Sequence, residues 1–182
     1  MPHTNRPPGK TRRTLLVVDM LRGFLEPEGS LYCGEASRDI IPYVARRIRT
    51  FTNRGDAVIF VCDRHARDDP EFRLYPSHCV AGSWEADIVG DLPVPESARL
   101  VPKTTLDPFY KTDLGRLLEW LGPQEVEVVG VCTNICVLIT VIGLAVREVP
   151  ATVRRRGVAT FDSGAHEYAL AQMEKVFGAR VM

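Results

Sequence analysis

Three short apolar runs rich in β-branched residues, at 14–19, 56–61 and 126–131, constrain this chain more than any other feature. Each is too short for a stable helix and reads as a strand buried on both faces, the pattern of a parallel sheet. Parallel strands need crossover segments, and the sequence between the runs supplies them. Ile40, Ile41, Val44, Ile48 and Phe51 recur at helical spacing before a stop at 53–55, and Leu114, Leu117, Leu118 and Leu121 repeat the pattern. A short strand at 99–103, an apolar helix across 134–146, a segment at 151–160 and an amphipathic helix across 166–177 extend the alternation. The expected fold is α/β, a three-layer α/β/α domain with a mainly parallel sheet. Arg154, Arg155 and Arg156 stand where a central strand carries Val or Ile, so 151–160 is expected at the outer edge of the sheet.

The 182 residues suit one domain. Residues 1–13, basic and nearly free of apolar side chains, predict a flexible arm, and 14–182 predict the single folded domain. Lys plus Arg and Asp plus Glu each total 23, so no global field favours nucleic acid or an anionic membrane. A small neutral ligand fits better. No apolar run approaches the roughly 20 residues of a spanning helix, and 14–20 is too short for a signal-peptide core, which predicts a soluble, unexported protein. The five cysteines lack zinc-finger spacing and are expected as reduced thiols, which suits the cytoplasm.

In an open α/β sheet, ligands gather beyond the carboxyl ends of the strands, where Asp19, Asp63 and Cys136 fall. Asp19 closes an apolar run, so desolvation can raise its pKa into a useful range; a cap or turn role is the plainer alternative. Cys136 lies in a strand-to-helix turn that Thr133 or Asn134 can cap, so the helix dipole favours its thiolate; alone it reads equally as a small buried hydrophobe. Lys103 closes the strand at 99–103, where its ammonium can lower the thiol pKa and hold the carboxylate.

Together these residues resemble the isochorismatase-like cysteine hydrolases, and within them the nicotinamidases, over roughly 15–177. Gly-Val-Cys-Thr-Asn-Ile-Cys-Val-Leu at 130–138 looks like the family's nucleophile turn, and Val-Val-Asp-Met at 17–20 its first strand end. The segments 31–35 and 157–161 look like site-flanking stretches of one nicotinamidase subgroup. Asn134 departs from the Asp often found there, which removes a charge but keeps a cap.

Residues 63–97 lack any clear period and form a loop longer than compact domains ordinarily carry, which suggests function. Asp63, His65, Glu71 and His78 offer two imidazoles and two carboxylates within it. Such a nitrogen and oxygen set suits zinc, manganese or iron, with zinc expected first. As a bare Asp-x-His pair they would more readily be solvated loop residues. The run 70–79 is similar to the metal loop of bacterial nicotinamidases, and the resemblance implies that the metal aims the pyridine ring and so the carboxamide.

The resemblance implies hydrolysis of nicotinamide to nicotinate and ammonia through a Cys136 thioester, with Asp19 as base and acid and the backbone N–H groups of Cys132 and Cys136 as oxyanion hole. It implies a cis peptide between Val131 and Cys132. Phe24, Val131 and Cys132 are the expected substrate contacts, and Phe24 reads nearly as well as an ordinary core residue. Phe109 and Trp84 are weaker candidates for the wall, and His3 and His166 receive no catalytic role. Three other readings stay open: another amidase or ureide hydrolase of the superfamily, a vinyl-ether hydrolase that would not use Cys136, and an inactive metal-binding interaction module. A homo-oligomer is expected, with an apolar helix at 134–146 available for burial.

Overall fold

The computed structural model describes residues 13–182, so residues 1–12 of the expected arm, His3 among them, lie outside the described residues. Six strands form one parallel sheet in the order β3-β2-β1-β4-β5-β6: β1 (Arg13–Val18), β2 (Ala57–Asp63), β3 (Arg99–Lys103), β4 (Glu125–Val131), β5 (Ala151–Ala159) and β6 (Arg180–Val181). β1 begins at Arg13, one residue inside the expected arm, because its guanidinium pairs with Glu125 at 2.7 Å.

Side chains along β1 alternate between two cores, as the period of two in a strand demands. Leu15 and Val17 face helix α3 (Ile41–Asn53), while Leu16 and Val18 face α4 (Leu114–Leu121), α5 (Leu138–Ala145) and α6 (Ser163–Lys175). Two short helices, α1 (Arg22–Leu25) and α2 (Glu35–Asp39), complete the α3 side. The amphipathic spacing of α3 buries Ile41, Val44, Ala45, Ile48 and Phe51 on one stripe. α4 ends on Gly122 at φ 56°, the left-handed stop expected of a helix terminus.

The three arginines of β5 required a correction. β5 is the second strand from the edge, because the two-residue β6 pairs with Thr152 and Val153. The arginines fit because the ladder with β4 breaks there: Val128 pairs with Val153 but Gly130 pairs with Val158. Arg154 reaches Glu127 at 3.1 Å and Arg156 lies over the Tyr43 ring on the α3 face, while Arg155 pairs with Glu167 of α6 at 2.5 Å. Glu127 is fully buried and also receives Arg47 at 2.6 Å and Arg13 at 3.3 Å.

The helix expected from 134 is a π-helical turn, Thr133–Val137, leading into α5. Neither Thr133 nor Asn134 caps it as anticipated, because Asn134 accepts a hydrogen bond from Thr160 and Thr133 meets His166 Nδ1 at 3.0 Å. At Gly130 the backbones of β4 and β1 leave no room for a side chain: a Cβ would lie 2.0 Å from the Val18 carbonyl oxygen, and φ is 123°. A glycine is obligatory there, and it draws the end of β4 against β1 where the site forms.

Candidate active site

Four neighbouring strands deliver their carboxyl ends to one crevice. Asp19 follows β1, Asp63 ends β2, Lys103 ends β3, and Cys136 stands in the π turn after β4. All four side chains are buried. Asp19 adopts φ 49°, rare for a non-glycine residue. Its amide donates to the Val61 carbonyl at 2.9 Å and its Oδ1 accepts from the Asp63 amide at 3.0 Å. The carboxylate is therefore pinned to β2 before any side-chain partner is counted.

Lys103 Nζ occupies the centre. It lies 2.9 Å from Asp19 Oδ2 and 3.7 Å from Cys136 Sγ, and it donates to Asp63 Oδ1. Burial works to discharge this ammonium, but Asp19 and Asp63 outweigh it and hold its pKa well above the usual lysine range. The two acids diverge. Burial first and the Asp63 charge second push Asp19 up to about 6, against the pull of Lys103 and a hydrogen bond with Cys136. Burial also acts to raise Asp63, yet Lys103 and the neighbouring imidazoles of His65 and His78 keep it below the ordinary carboxylate range.

Opposing influences act on the Cys136 sulfur. Burial raises the thiol well above its usual pKa, Lys103 pulls the other way, and Asp19 and Asp63 add to the rise. Asp19, in the same crevice, is the carboxylate placed to take the thiol proton. The Val131–Cys132 peptide is cis, as the resemblance implied.

Next to Asp19, Lys103 and Cys136, one donor atom each from Asp63, His65 and His78 lie within 4.8 Å of one another, all buried. Asp63 Oδ2 is 3.6 Å from His65 Nε2 and 3.7 Å from His78 Nε2. His78 Nδ1 engages the Pro76 carbonyl oxygen at 2.7 Å, and His65 Nδ1 has the Asp69 carboxylate 3.1 Å behind it. The His78 ring thus turns Nε2 inward with Nδ1 anchored, the second-sphere arrangement that orients metal-binding histidines, while His65 Nδ1 has Asp69 beside it without a hydrogen bond. His65 Nε2 is buried with no hydrogen-bond partner, which a cation would supply. The donor set fits a divalent transition metal. Glu71 stands outside the three-residue cluster, on the 3₁₀ turn Pro70–Arg73, where its carboxyl lines the cavity and is raised by burial and then by Asp63.

A cavity of about 370 Å³ opens onto Cys136, Asp19 and Asp63, a size suited to a small ring. The expected contacts Phe24, Val131 and Cys132 all line it.

Residues 13–182 match the Isochorismatase domain. The chain is 31% identical over 180 residues to the isochorismatase family protein PncA of Bacillus subtilis, covering 93% of this chain and 98% of that one. The chain belongs to the isochorismatase domain family. Among solved structures, the fold superposes on nicotinamidase PncA from Bacillus subtilis with a TM-score of 0.88 at 29% identity, covering 93% and 98% of the two chains. It also superposes on the pyrazinamidase of Pyrococcus horikoshii in complex with zinc, with a TM-score of 0.87 at 30% identity, covering 94% and 98%.

Within this isochorismatase-domain site, two wall residues had no signal of their own in the sequence. Ser30 and Leu106 line the cavity without such a signal, whereas Leu31, Tyr75, Ile135 and Phe161 fell in segments already tied to the site. Phe109 and Trp84 are excluded from the wall. Phe109 packs under the Arg147 guanidinium at 4.0 Å, and Trp84 is stacked below Arg22 at 5.1 Å. His166 stays outside the chemistry, bonded to the nucleophile turn through Thr133. No helix among the described residues is long and apolar enough to cross a membrane.

Proposed function

We propose that this chain is an amidohydrolase that converts nicotinamide and water to nicotinate and ammonia, using Asp19, Lys103 and Cys136 as its catalytic triad. The observation that carries the reading is a thiol and a base on one cavity, joined by a buried ammonium and set beside a three-donor cluster that could hold a metal. A vinyl-ether hydrolase would have no use for the sulfur, and an inactive module no use for the buried ammonium between two carboxylates.

Asp19 takes the Cys136 thiol proton as Sγ attacks the carboxamide carbon. The oxyanion is received by the backbone N–H groups of Cys132 and Cys136. The tetrahedral adduct collapses, the C–N bond breaks, and Asp19 hands its proton to the departing nitrogen, leaving a thioester and ammonia. Asp19 then removes a proton from water as the water oxygen attacks the thioester carbon; cleavage of the C–S bond returns the thiol and releases nicotinate. Lys103 holds the Asp19 carboxylate in line and offsets charge as the thiolate forms. Asp63, His65 and His78, with Glu71 as the further candidate, would hold a divalent cation, zinc first, which supplies a Lewis-acid contact for the pyridine nitrogen and orients the ring. Phe24 forms the apolar face against which the ring lies.

Five free cysteines among the described residues support a reducing, cytoplasmic setting. A homo-oligomer is also proposed, to be read by light scattering of the full chain.

The deciding experiment measures ammonia release from nicotinamide together with metal content on the same sample. Wild type should turn over, and Cys136→Ala should release no ammonia while keeping fold and metal. Turnover retained in that variant, or metal-loaded wild type that ignores nicotinamide, would overturn the assignment.

A further inference from the structure

Glu85 is a buried carboxylate that the mechanism above does not use. It lies in the 3₁₀ turn Trp84–Ala86 and is 8% exposed, far from the usual place of a glutamate. Both of its oxygens are taken. Oε1 accepts from the Ser30 amide at 2.6 Å and the Ser30 hydroxyl at 2.7 Å, and Oε2 accepts from the Cys79 amide at 3.2 Å.

The two ends of this bridge are different parts of the site. Ser30, Leu31, Tyr32 and Cys33 form one wall of the cavity. Cys79 directly follows the cluster residue His78, adopts φ 43°, and gives its carbonyl to the His65 amide at 3.1 Å. A single side chain therefore fixes the backbone of the wall and the backbone that carries both imidazoles. Packing leaves little slack: a Cβ on Gly29 would lie 2.2 Å from the Gly23 carbonyl oxygen, and one on Gly23 would lie 2.9 Å from Glu85 Cβ. The wall loop, α1 and the Glu85 turn are in direct backbone contact.

We propose that Glu85 is a positioning residue that sets the spacing between the substrate wall at Ser30–Cys33 and the metal-bearing turn at His78–Cys79. A ring held by the wall and by the cation must satisfy both at once, so this spacing governs how well the carboxamide is presented to Cys136. The inference rests on the amidase reading of the site.

The test compares Glu85→Ala, Glu85→Gln and Ser30→Ala with wild type, by nicotinamide kinetics at saturating zinc, by zinc affinity, and by amide hydrogen exchange. Glu85→Ala should raise KM about tenfold, the loss expected for hydrogen bonds to a charged acceptor, and weaken zinc binding as well. Glu85→Gln separates the two ends. Its amide oxygen can still accept from Ser30, while its NH₂ group faces the Cys79 N–H donor to donor, so KM at saturating zinc should hold and zinc affinity should fall. Ser30→Ala should raise KM and leave zinc affinity unchanged. Exchange at the Ser30 and Cys79 amides should quicken together in Glu85→Ala whether or not the protein is active. A folded Glu85→Ala with wild-type KM and zinc affinity, or exchange unchanged at either amide, would overturn the proposal. Should Glu85→Ala not fold, loss of both properties in parallel in Glu85→Gln would overturn it equally. Wild type inert toward nicotinamide would defeat the amidase reading, and the exchange data would still decide the coupling.

Discussion

Lys103 Nζ stands 2.9 Å from Asp19 Oδ2 with both side chains buried, so the ammonium serves the fold and the chemistry through the same contact. Removing it strands Asp19 and Asp63 as two adjacent acids without their shared cation. Lys103→Ala should cut kcat/KM by at least about a hundredfold and lower stability by roughly 3 kcal/mol, the cost of breaking a buried pair. Steady-state kinetics and urea unfolding check the two effects, and a variant with full activity would dismiss Lys103 from the triad.

His65 presents a buried Nε2 with no partner to the donor cluster. His65→Ala should lower bound metal from near stoichiometric to trace and raise KM for nicotinamide by about tenfold or more, with the circular dichroism spectrum preserved. Metal content by mass spectrometry reads the first effect directly. A His65→Ala protein that still carries a full complement of metal would remove this residue from the ligand set.

The alternation of strands and helices was open to sequence reading because apolar runs buried on both faces are dictated by the parallel sheet itself. That Asp19, Lys103 and Cys136 would meet was legible for a related reason: each stands just where such a run ends or a turn begins. What escaped was set by contacts distant in sequence. β6 is two residues long and carries no pattern. Arg154 looked wrong for a strand until Glu127, 27 residues away, was placed beneath it. Ser30 and Leu106 reach the cavity only through the folding of irregular segments, and the balance at Cys136 depends on burial and on Lys103, Asp19 and Asp63 from other strands.

Glu127 is the hub of the α3 face, fully buried with Arg13, Arg47 and Arg154 around it. Glu127→Ala leaves these guanidiniums converging on an empty site and should destabilise the protein by about 3 kcal/mol. The hub lies toward the amino ends of the strands, away from the cavity, so kcat/KM at low temperature should stay near wild type. Urea unfolding against kinetics on one preparation tests the separation, and equal losses in both would show that the hub reaches the site.

His166 tests the nucleophile turn by pH. Burial holds its pKa below the ordinary histidine value, and its Nδ1 meets Thr133 Oγ1 at 3.0 Å. Because the folded pKa is the lower one, the unfolded chain binds the proton more readily. The contribution of His166 is therefore present above the unfolded value and is lost as pH falls through the folded one. Thermal unfolding followed from about pH 7.5 to about pH 5 brackets the ordinary histidine pKa of about 6.5. Wild type should lose stability over that interval more steeply than His166→Gln, which cannot titrate. The ring also ties α6 to the turn that carries Cys136, so the same acid interval should quicken amide exchange around Thr133 in wild type and leave it flat in the variant. Parallel unfolding profiles for the two proteins would mean that His166 carries no proton-linked stability, and its contact with Thr133 would then be incidental to how the nucleophile is held.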